Sequence, residues 1–417
     1  MKEIKIPNNW LFCRMQEIAS IYNGNSISEE IKLRNFTGLA GGYNYIATKD
    51  IGFDSIINYE NGVKIPFTRK DFKIAPKNTP LLCIEGGSAG RKLGFLSEDV
   101  CFGNKLCAFV SPFPRWIYYY LQSHSFRNHF NTNKNGLIGG VSINKLKQSS
   151  IPVPPMAEQK RIVKKIEELF GVIDEQVKRL EATRAALVSY RQSILKKLLS
   201  NPVYPQVSFN DGIKKIIGGS TPSKTISAYY EGHIPFMTVK DMTSPRPQDT
   251  AWHITQEAVD NCSTHIIPAN TLITATRVGL GKTVLMPFPV AINQDLKALV
   301  LNKNKVNTRF FEFVLNAKTT EIISKSRGTT VKGITLEDFK SIKFYLPALA
   351  EQQKIVDEIE RTFYSADQVQ KAVQNALEQA KQLKQSILKR AFEGKLVPQD
   401  PNDKPVDLTQ LKKDKHK

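Results

Sequence analysis

The chain has 417 residues, which is enough for two or three domains that each bury a core of their own. Hydrophobic residues make up 41% and charged residues 24%, as in ordinary soluble globular proteins. Lys and Arg number 59 against 39 Asp and Glu, so the formal net charge is +20. This excess favours a polyanionic partner, because each phosphate that a cation neutralises releases a counterion. A basic protein without such a partner is the alternative.

The cysteines and the apolar runs exclude several other classes of protein. The 5 cysteines form no C-x-x-C pair, so they indicate neither a disulfide framework nor a zinc site, and we expect buried thiols in a reducing compartment. Residues 1–7 lack the apolar core of a signal peptide. No apolar run approaches the roughly 20 residues that cross a bilayer. We therefore expect a cytoplasmic protein without membrane contact.

An internal repeat covers nearly the whole chain. Residues 45–51 (YIATKDI) return as residues 236–242 (FMTVKDM), a shift of 191 residues from Lys49 to Lys240. Residues 154–163 return at 347–356 with a shift of 193 residues, and other segments keep nearly the same shift. The chain is therefore two copies of one unit.

Each copy combines a mixed segment with a long helical one. The first ~150 residues of each copy contain short β-type runs between turns rich in Gly, Asn and Pro. Examples are Leu81 to Ile84 in the first copy and Ala298 to Leu301 in the second. In the first copy, the prolines of residues 151–155 block a helix until Met156. Glu158 then places negative charge in the first helical turn, where the helix dipole favours it.

Apolar residues recur in the helical segments with alternating steps of four and three, the spacing of a coiled-coil seam. The alternative is two amphipathic helices that pack separately on globular cores. Helices of about 40 residues would be ~60 Å long, which favours the coiled coil. The first seam comprises Ile162, Ile166, Leu169, Ile173, Gln176, Leu180, Thr183, Leu187, Tyr190 and Ile194. The second comprises Ile355, Ile359, Thr362, Ala366, Val369, Val373, Ala376, Ala380, Leu383 and Ile387.

No segment carries a complete catalytic motif. Residues 279–283 (GLGKT) end like a phosphate-binding loop, but Thr276 stands where that motif requires glycine, so we interpret them as a tight turn with a cation. Asp295-Leu296-Lys297 resembles part of a nuclease motif, but its counterpart Lys105-Leu106-Cys107 could not bind a metal in that way. The six histidines lack ligand spacing. We predict a chain with no catalytic residue and no metal. The competing hypotheses are a nuclease or NTPase with an unrecognised site, and a coiled-coil protein–protein adaptor.

Several loops have the composition of nucleic-acid contacts. Residues 218–224 (GGSTPSK) and their counterpart 23–28 (NGNSIS) offer amides, hydroxyls and a lysine to phosphates, and Asn can read adenine edges. An ordinary solvated turn is an equally good interpretation of either loop. Residues 328–333 and 136–140 are similar candidates. The aromatic run of residues 116–120 could stack bases, but its counterpart 310–314 is simply apolar, which favours a buried helix face.

Three further motifs together resemble the specificity subunits of type I restriction–modification systems, over almost the whole chain. They are the paired Ala-Glu-Gln helix starts at 157–159 and 350–352, the run 386–398 (SILKRAFEGKLVP), and residues 219–223 (GSTPS) followed by Ile234-Pro235-Phe236. The first copy departs from the pattern, because Asn25-Ser26-Ile27 stands where Thr-Pro is expected.

The resemblance implies an α+β fold with two mixed α/β target-recognition domains and two long helices. The helices would pair as an antiparallel coiled coil with pseudo-two-fold symmetry and would act as a ruler between two half-sites. The target would be bipartite and asymmetric. The implied domains are target-recognition domains at 1–153 and 201–346, conserved helical regions at 154–200 and 347–394, and a basic tail at 395–417 that we expect to be flexible.

The same resemblance implies the partners. They are double-stranded DNA, two methylation subunits that methylate adenine N6 on a flipped base, and two restriction subunits. S-adenosylmethionine, ATP and Mg²⁺ would bind only to those subunits. We expect no cofactor and no small-molecule substrate in this chain.

The candidate DNA-binding residues are polar and cationic side chains of the turns and loops. They are Asn25, Ser26, Lys49, Arg91, Lys92, Asn104, Lys105, Ser220, Thr221, Ser223, Lys224, Lys240, Arg277, Lys282 and Lys332.

Overall fold

The computed structural model describes residues 6–134, 139–328, 332–407 and 409. The chain divides into two compact units. The first unit comprises Met1–Leu180 together with Asn375–Lys417, and the second comprises Glu181–Gln374. Each unit contains its own buried cores.

The described residues of the first unit form ten strands and five short helices, followed by the start of a long helix. The strands are β1 (Leu11–Arg14), β2 (Ser20–Asn23), β3 (Tyr43–Ile46), β4 (Lys64–Ile65), β5 (Ile74–Ala75), β6 (Pro80–Cys83), β7 (Leu93–Phe95), β8 (Val100–Phe102), β9 (Leu106–Val110) and β10 (Ser150–Val153). The helices are α1 (Met15–Ile18), α2 (Glu29–Ile31, continued by a π-turn over Lys32–Phe36), α3 (Pro114–Gln122), α4 (His124–Thr132), α5 (Ile143–Gln148) and the long α6 (Met156–Leu199).

The strands of the first unit form two four-stranded sheets and one strand pair. One sheet has the order β2-β9-β6-β7 and is antiparallel. The other has the order β4-β3-β8-β5 and is mixed, because β3 and β8 run parallel. The strands β1 and β10 pair separately, which joins the beginning of the domain to the segment before α6.

The position of strand β6 between two cores explains why its sequence is apolar throughout. Successive side chains of a strand point to opposite faces of the sheet. Leu82 packs in the core beneath α3 and α4, whereas Leu81 and Cys83 pack in the core between the two sheets. Both faces of this strand are therefore buried, and the sequence shows an apolar run rather than an alternation.

The second unit repeats this architecture. Its strands are β11 (Gln206–Ser208), β12 (Ile213–Gly218), β13 (Ile234–Met237), β14 (Trp252–Ile254), β15 (Ile266–Ile267), β16 (Thr271–Ala275), β17 (Thr283–Met286), β18 (Val290–Ile292), β19 (Leu296–Leu301) and β20 (Lys343–Tyr345). Its helices are α7 (Phe209–Gly212), α8 (Gln256–Asp260), α9 (Thr308–Ala317), α10 (Thr319–Ser324), α11 (Leu336–Lys340) and the long α12 (Leu349–Phe392).

The sheets of the second unit have the orders β12-β19-β16-β17 and β14-β13-β18-β15, with β11 and β20 paired separately. The parallel pair β13–β18 corresponds to β3–β8. The duplication predicted from the sequence is therefore confirmed at the level of strand order and strand direction.

The long helices begin where the proline segments end, at Met156 and Leu349, and each has 44 residues. In the first unit, Glu158 of α6 bonds to Gln399, and Asp174 forms an ion pair with Lys384 of α12. In the second unit, Arg191 of α6 pairs with Asp367 of α12 at 2.6 Å, and Tyr204 bonds to Glu351. In both units the partner number falls as the number rises along α6 and the segment after it, so α6 and α12 run antiparallel there.

One contact between the helices occurs in both units. In the first unit α12 supplies a cation and α6 supplies the ring and the aspartate, and in the second unit the two helices exchange these parts. In the first unit the ammonium of Lys384 lies 4.8 Å from the centroid of the Phe170 ring and pairs with Asp174. In the second unit the guanidinium of Arg191 lies 5.0 Å from the ring of Phe363 and pairs with Asp367. All three positions are related by the shift of 193 residues. We call this contact the cation–Phe–Asp clamp.

The buried stripe of the helices deviates from the predicted seam. Gln176, Thr183 and Tyr190 are exposed, and Val369 and Leu383 are 44% and 52% exposed. Residues outside the predicted seam are buried instead, namely Phe170, Leu195, Leu377 and Leu388. The reason is that a straight helix has 3.6 residues per turn and drifts from a strict seven-residue repeat. Each helix end also packs on the core of a unit as well as on the other helix.

The described part of the tail expected to be flexible is packed against the first unit. Asp403 forms a two-contact ion pair with Arg161, and its side chain is only 5% exposed. Leu396, Val397 and Val406 contact the first core. The expected flexibility over 395–417 is therefore wrong for residues 395–407, because their apolar residues and Asp403 have partners at the start of α6.

The deviation of the seam gives a testable pair of substitutions in α12. Ile359→Ala should lower the free energy of unfolding by about 2–5 kcal/mol, because Ile359 is fully buried in the second unit. Val369→Ala, at a predicted seam position that is exposed, should change it by less than about 0.5 kcal/mol. Urea unfolding of the full chain measures both. Equal losses of unfolding free energy at the two positions would instead support the regular seam predicted from the sequence.

Candidate nucleic-acid interface

Three turns of the first unit meet at one end of its sheets. The amide of Ile84 donates to the carbonyl of Lys105 at 2.9 Å, and the amide of Val141 donates to the carbonyl of Ile84 at 3.0 Å. The amide of Gly90 closes its own turn on Cys83 at 2.8 Å. These bonds hold residues 84–92, 103–105 and 139–142 side by side. Together with residues 23–28 we call them the first loop cluster.

The second unit makes the same bonds at the corresponding positions. The amide of Thr276 donates to Asp295, the amide of Ile334 donates to Thr276, and the amide of Gly281 donates to Ala275, at 2.9 to 3.0 Å. Residues 276–282, 293–295 and 332–335, together with 218–224, form the second loop cluster. Every one of these bonds joins backbone groups, so the bonds themselves can form with different side chains in the two clusters.

In each cluster, a glycine allows the polar loop to lie directly against a neighbouring strand. A Cβ atom at Gly24 would lie 1.8 Å from the carbonyl oxygen of Phe102, and one at Gly219 would lie 1.8 Å from that of Ile292. Only glycine permits this approach. Next to Gly24, the hydroxyl of Tyr45 donates to the carbonyl of Asn25 at 2.7 Å. Burial raises the pKa of Tyr45 to about 12, so this donor keeps its proton at neutral pH.

A short turn with an exposed lysine borders each cluster. In the first unit, the ammonium of Lys92 donates to the carbonyl of Thr48 at 2.9 Å, which places exposed Lys49 beside the turn of Arg91. In the second unit, a Cβ atom at Gly279 would lie 2.5 Å from Val239, so exposed Lys240 borders the turn of Lys282. The structure thus brings together cations that are far apart in the sequence.

Most of the cations proposed from the sequence are exposed on the two clusters or on the turns that border them. They are Lys49, Arg91, Lys105, Lys224, Lys240, Arg277, Lys282 and Lys332, whereas Lys92 is half-buried. Three of them have protein partners. Arg91 donates to the carbonyl of Gly87, Lys105 lies 3.9 Å from Glu85, and Arg277 lies 3.7 Å from Asp295. The two ion pairs are partly exposed and therefore contribute little stability.

The small polar candidates differ in whether their side chains form hydrogen bonds within the protein. The Asn25 amide donates to the carbonyl of Asp71 at 3.2 Å and accepts from the amide of Lys73 at 2.8 Å, so Asn25 builds the loop. Ser26 and Asn104 are exposed. The Thr221 hydroxyl donates to Gln294 at 2.6 Å, and Ser223 bonds to Thr225 at 2.7 Å.

Ser220 is different, because its hydroxyl is buried without a hydrogen-bond partner among the residues that the structure describes. Of the glycine-rich candidate loops, residues 136–138 and 329–331 lie outside the described residues.

A cavity of about 540 Å³ opens beside the polar loop of the second unit. Its polar side is formed by Thr221, Lys224, Asn293 and Gln294, and its apolar side by Tyr230, Phe236 and Trp252. The rings of Tyr230 and Trp252 meet edge to face with their centroids 5.5 Å apart, and Trp252 is 52% exposed. Aromatic faces beside amide groups suit contacts with bases.

Gln294 is a candidate that the sequence reasoning missed. It occupies the place of Asn104 in the first copy, because the repeat slips by one residue between the segments around Lys49 and Leu106. Both amide side chains are exposed at the tip of the corresponding turn. The one-residue slip was the signal that could have identified Gln294.

The aromatic run and the turn at 279–282 have structural roles. Trp116, Tyr119 and Tyr120 are at most 6% exposed, so the aromatic run is the buried helix face that its counterpart indicated. The turn at 279–282 uses its amides internally, since Gly281 and Lys282 donate to Ala275 and Gly279. It is therefore a tight turn rather than a phosphate-binding loop.

The residues of the nuclease-like triplet are likewise engaged with their neighbours. The Lys297 ammonium donates to the carbonyls of Gln294 and Leu296, and burial lowers its pKa. Asp295 accepts from the Asn293 amide at 3.1 Å. Within the described ranges, no group of three or more His, Cys, Asp or Glu side chains could hold a metal ion. In the same part of the chain, no helix is both long enough and apolar enough to cross a bilayer.

The fold is a duplicated unit with one polar, cation-bearing loop cluster on each copy, and comparison with known proteins identifies its family. The family model of the type I restriction modification DNA specificity domain matches twice, at residues 7–182 and 202–379. The chain belongs to this family. It is 24% identical to the type I restriction enzyme StySPI specificity subunit of Salmonella potsdam, over 96% of this chain and 92% of that protein.

Solved structures show the same fold. One, described as the structural basis underlying complex assembly and conformational transition of the type I R-M system, has a TM-score of 0.75 at 18% identity and covers 94% of this chain and 100% of its own. The HsdS subunit from Thermoanaerobacter tengcongensis has a TM-score of 0.52 at 18% identity, covering 95% of this chain and 99% of its own.

Two glycines of the turn that carries Arg91 give a matched test of the frame. Both have positive φ, +75° at Gly90 and +85° at Gly86, so alanine at either should cost about 1–2 kcal/mol. A Cβ atom at Gly90 would also lie 2.6 Å from the buried Phe130 ring, whereas Gly86 faces open space. Gly90→Ala should therefore destabilise the chain more than Gly86→Ala in urea unfolding. Equal losses would show that Phe130 does not fix this turn.

Proposed function

We propose that this chain reads a bipartite, asymmetric DNA target and directs adenine-N6 methylation or restriction by partner subunits. The observation that carries the proposal is the pair of loop clusters, with the same backbone frame and different side chains. Two readers of one architecture that present different groups would bind two different half-sites. Double-stranded DNA fits the excess of cations, with 59 Lys and Arg against 39 Asp and Glu.

We assign no catalytic residue to this chain. Asp295 and Lys297 bond to their own turn, and the amides of the turn at 279–282 are used within it. In our proposal, methylation and restriction subunits, two of each, supply the chemistry and bind S-adenosylmethionine, ATP and Mg²⁺. The chain would act in the cytoplasm, where its buried thiols, which form no disulfide, stay reduced.

The long helices would set the separation of the half-sites. Each has 44 residues, and at 1.5 Å per residue a helix of this length is roughly 66 Å long. Since the cation–Phe–Asp clamp recurs at equivalent positions, it would fix the register of the pair.

The experiment that tests DNA reading is a binding series across salt concentration with the purified full chain. Affinity for duplex DNA should fall roughly a thousandfold between 50 and 200 mM salt if six or more phosphates are contacted. Lys49→Ala and Lys240→Ala should each reduce the slope of log affinity against log salt by about one. Lys371→Ala, at an exposed position of α12, is the matched control and should leave the slope unchanged.

Other outcomes of this series would identify the competing functions. Weak binding at every salt concentration would favour a protein–protein adaptor. Cleavage of DNA or turnover of ATP by the purified chain would show an enzyme.

Base reading can be separated from phosphate contact at the paired amides. Asn104→Ala should relax the preference at one position of the first half-site, and Gln294→Ala should do so in the second, each by about 1–3 kcal/mol of discrimination. Selection of bound duplexes from a library with a randomised centre measures both. A uniform loss of affinity, with both half-sites unchanged, would contradict the assignment of these amides to base reading.

A further inference from the structure

The first loop cluster has an apolar tip beside it. Residues 52–56 form a closed loop in which the amide of Gly52 donates to the carbonyl of Ile56 at 2.8 Å, and the amide of Ile56 donates to Asp54 at 3.1 Å. Phe53 is 65% exposed and Ile56 is 68% exposed. Two large apolar side chains on one short, internally bonded loop are an unusual feature of a solvated surface.

The base of this loop is fixed to the sheet. Ile51 and Ile57 form an antiparallel bridge, and Ile51 is fully buried. A Cβ atom at Gly94 would lie 2.6 Å from the Ile57 side chain, so Ile57 packs directly on strand β7. The tip is therefore presented on a rigid support, which lowers the entropy lost on binding.

Cations surround the tip. The guanidinium carbon of Arg91 and the ammonium of Lys92 each lie 5.2 Å from the centroid of the Phe53 ring. The bond from Lys92 to Thr48 places Lys49 next to them. An apolar wedge flanked by positive charge matches a ligand that has stacked apolar rings between two rows of phosphates. Duplex DNA is such a ligand, and proteins insert Phe or Ile side chains between its base steps.

Among its described residues, the second unit has no apolar tip at the position that corresponds to residues 52–56. The shift of 191 residues places Ser244 opposite Phe53 and Pro247 opposite Ile56. There, the Arg246 side chain turns inward and forms two bonds of 2.8 and 2.7 Å with the buried carboxylate of Glu312. At the position that corresponds to residues 52–56, the described residues of the second unit therefore form no such apolar tip.

We propose that Phe53, supported by Ile56, is a wedge that enters a base-pair step of the first half-site while Arg91, Lys92 and Lys49 hold the flanking phosphates. This inference rests on the proposed function. The wedge adds a shape-dependent term to recognition, because pyrimidine–purine steps open more readily than others. The first half-site would then be selected partly by deformability, and the second by contacts to base edges.

The test uses the full chain and a duplex selected by the wild type from a library with a randomised centre. The base 2-aminopurine, whose fluorescence rises when it unstacks, is placed at successive positions of the first half-site. The wild type should raise the fluorescence at one step. Phe53→Ala should abolish that rise and weaken binding roughly ten- to a hundredfold, whereas Phe53→Leu should keep part of both effects.

Phe67→Ala is the matched control. Phe67 is 58% exposed in the same unit, but its ring packs edge to face on Tyr43 with centroids 4.8 Å apart. Its removal should change neither affinity nor fluorescence. Because Phe53 is largely exposed, its truncation leaves the core intact, and an unchanged unfolding midpoint checks this.

The remaining outcomes overturn the proposal. If Phe53→Ala binds as tightly as the wild type with the same fluorescence rise, the wedge is wrong while DNA reading stands. If the wild type binds selectively but unstacks no base, the wedge is also wrong. If the wild type shows no sequence-selective binding, the proposed function fails and the wedge fails with it.

Discussion

In each loop cluster, a backbone hydrogen bond from the first residue of one turn to the last residue of its neighbour joins the two turns. In the first unit it joins Ile84 to Lys105, and in the second it joins Thr276 to Asp295. The loop before α5 or α11 then bonds to the same residue, Ile84 or Thr276. These bonds join backbone groups, and in the second unit the Thr276 hydroxyl also donates to the carbonyl of Asp295 at 3.3 Å. Cations, amides and apolar tips can therefore differ between the copies without any change in the frame that positions them.

The helices obey the opposite constraint, because their pairing depends on particular side chains. In the clamp, a cation covers a phenylalanine ring and meets an aspartate, and the copies exchange these roles between the units. Arg191 and Lys384 differ in chemistry, yet each carries the positive charge and the aliphatic stem that the contact needs. The clamp adds only modest stability, since both aspartates are more than half exposed. Because the cation, the ring and the aspartate meet at one alignment of the two helices, the clamp favours that register.

The sequence predicted those features that depend on short-range chemistry. Prolines before Met156 set the start of α6, and the repeated motifs predicted a duplicated fold that the strand orders confirm. The seam was less well predicted, because the straight-helix period and the packing of the helix ends on each core shift the buried stripe. The role of Asn25 was not predictable either, since its amide is bonded to residues 46 and 48 positions farther along the chain. Its position in a polar loop gave no sign of those partners.

The packing of the chain's last residues determines the order in which the molecule can be completed. The second unit is a continuous stretch, Glu181–Gln374, so all of its residues have been synthesised before the final helix is finished. The first unit also needs Leu388, Ala391 and Phe392, which are buried in its core, and Asp403, which pairs with Arg161. During synthesis, the first part of the first unit is therefore made before the second unit, and its remaining core residues are made after it. Until then, Trp116 and Tyr120 lack the ring of Phe392 against which they pack, and this unfinished core is exposed during synthesis.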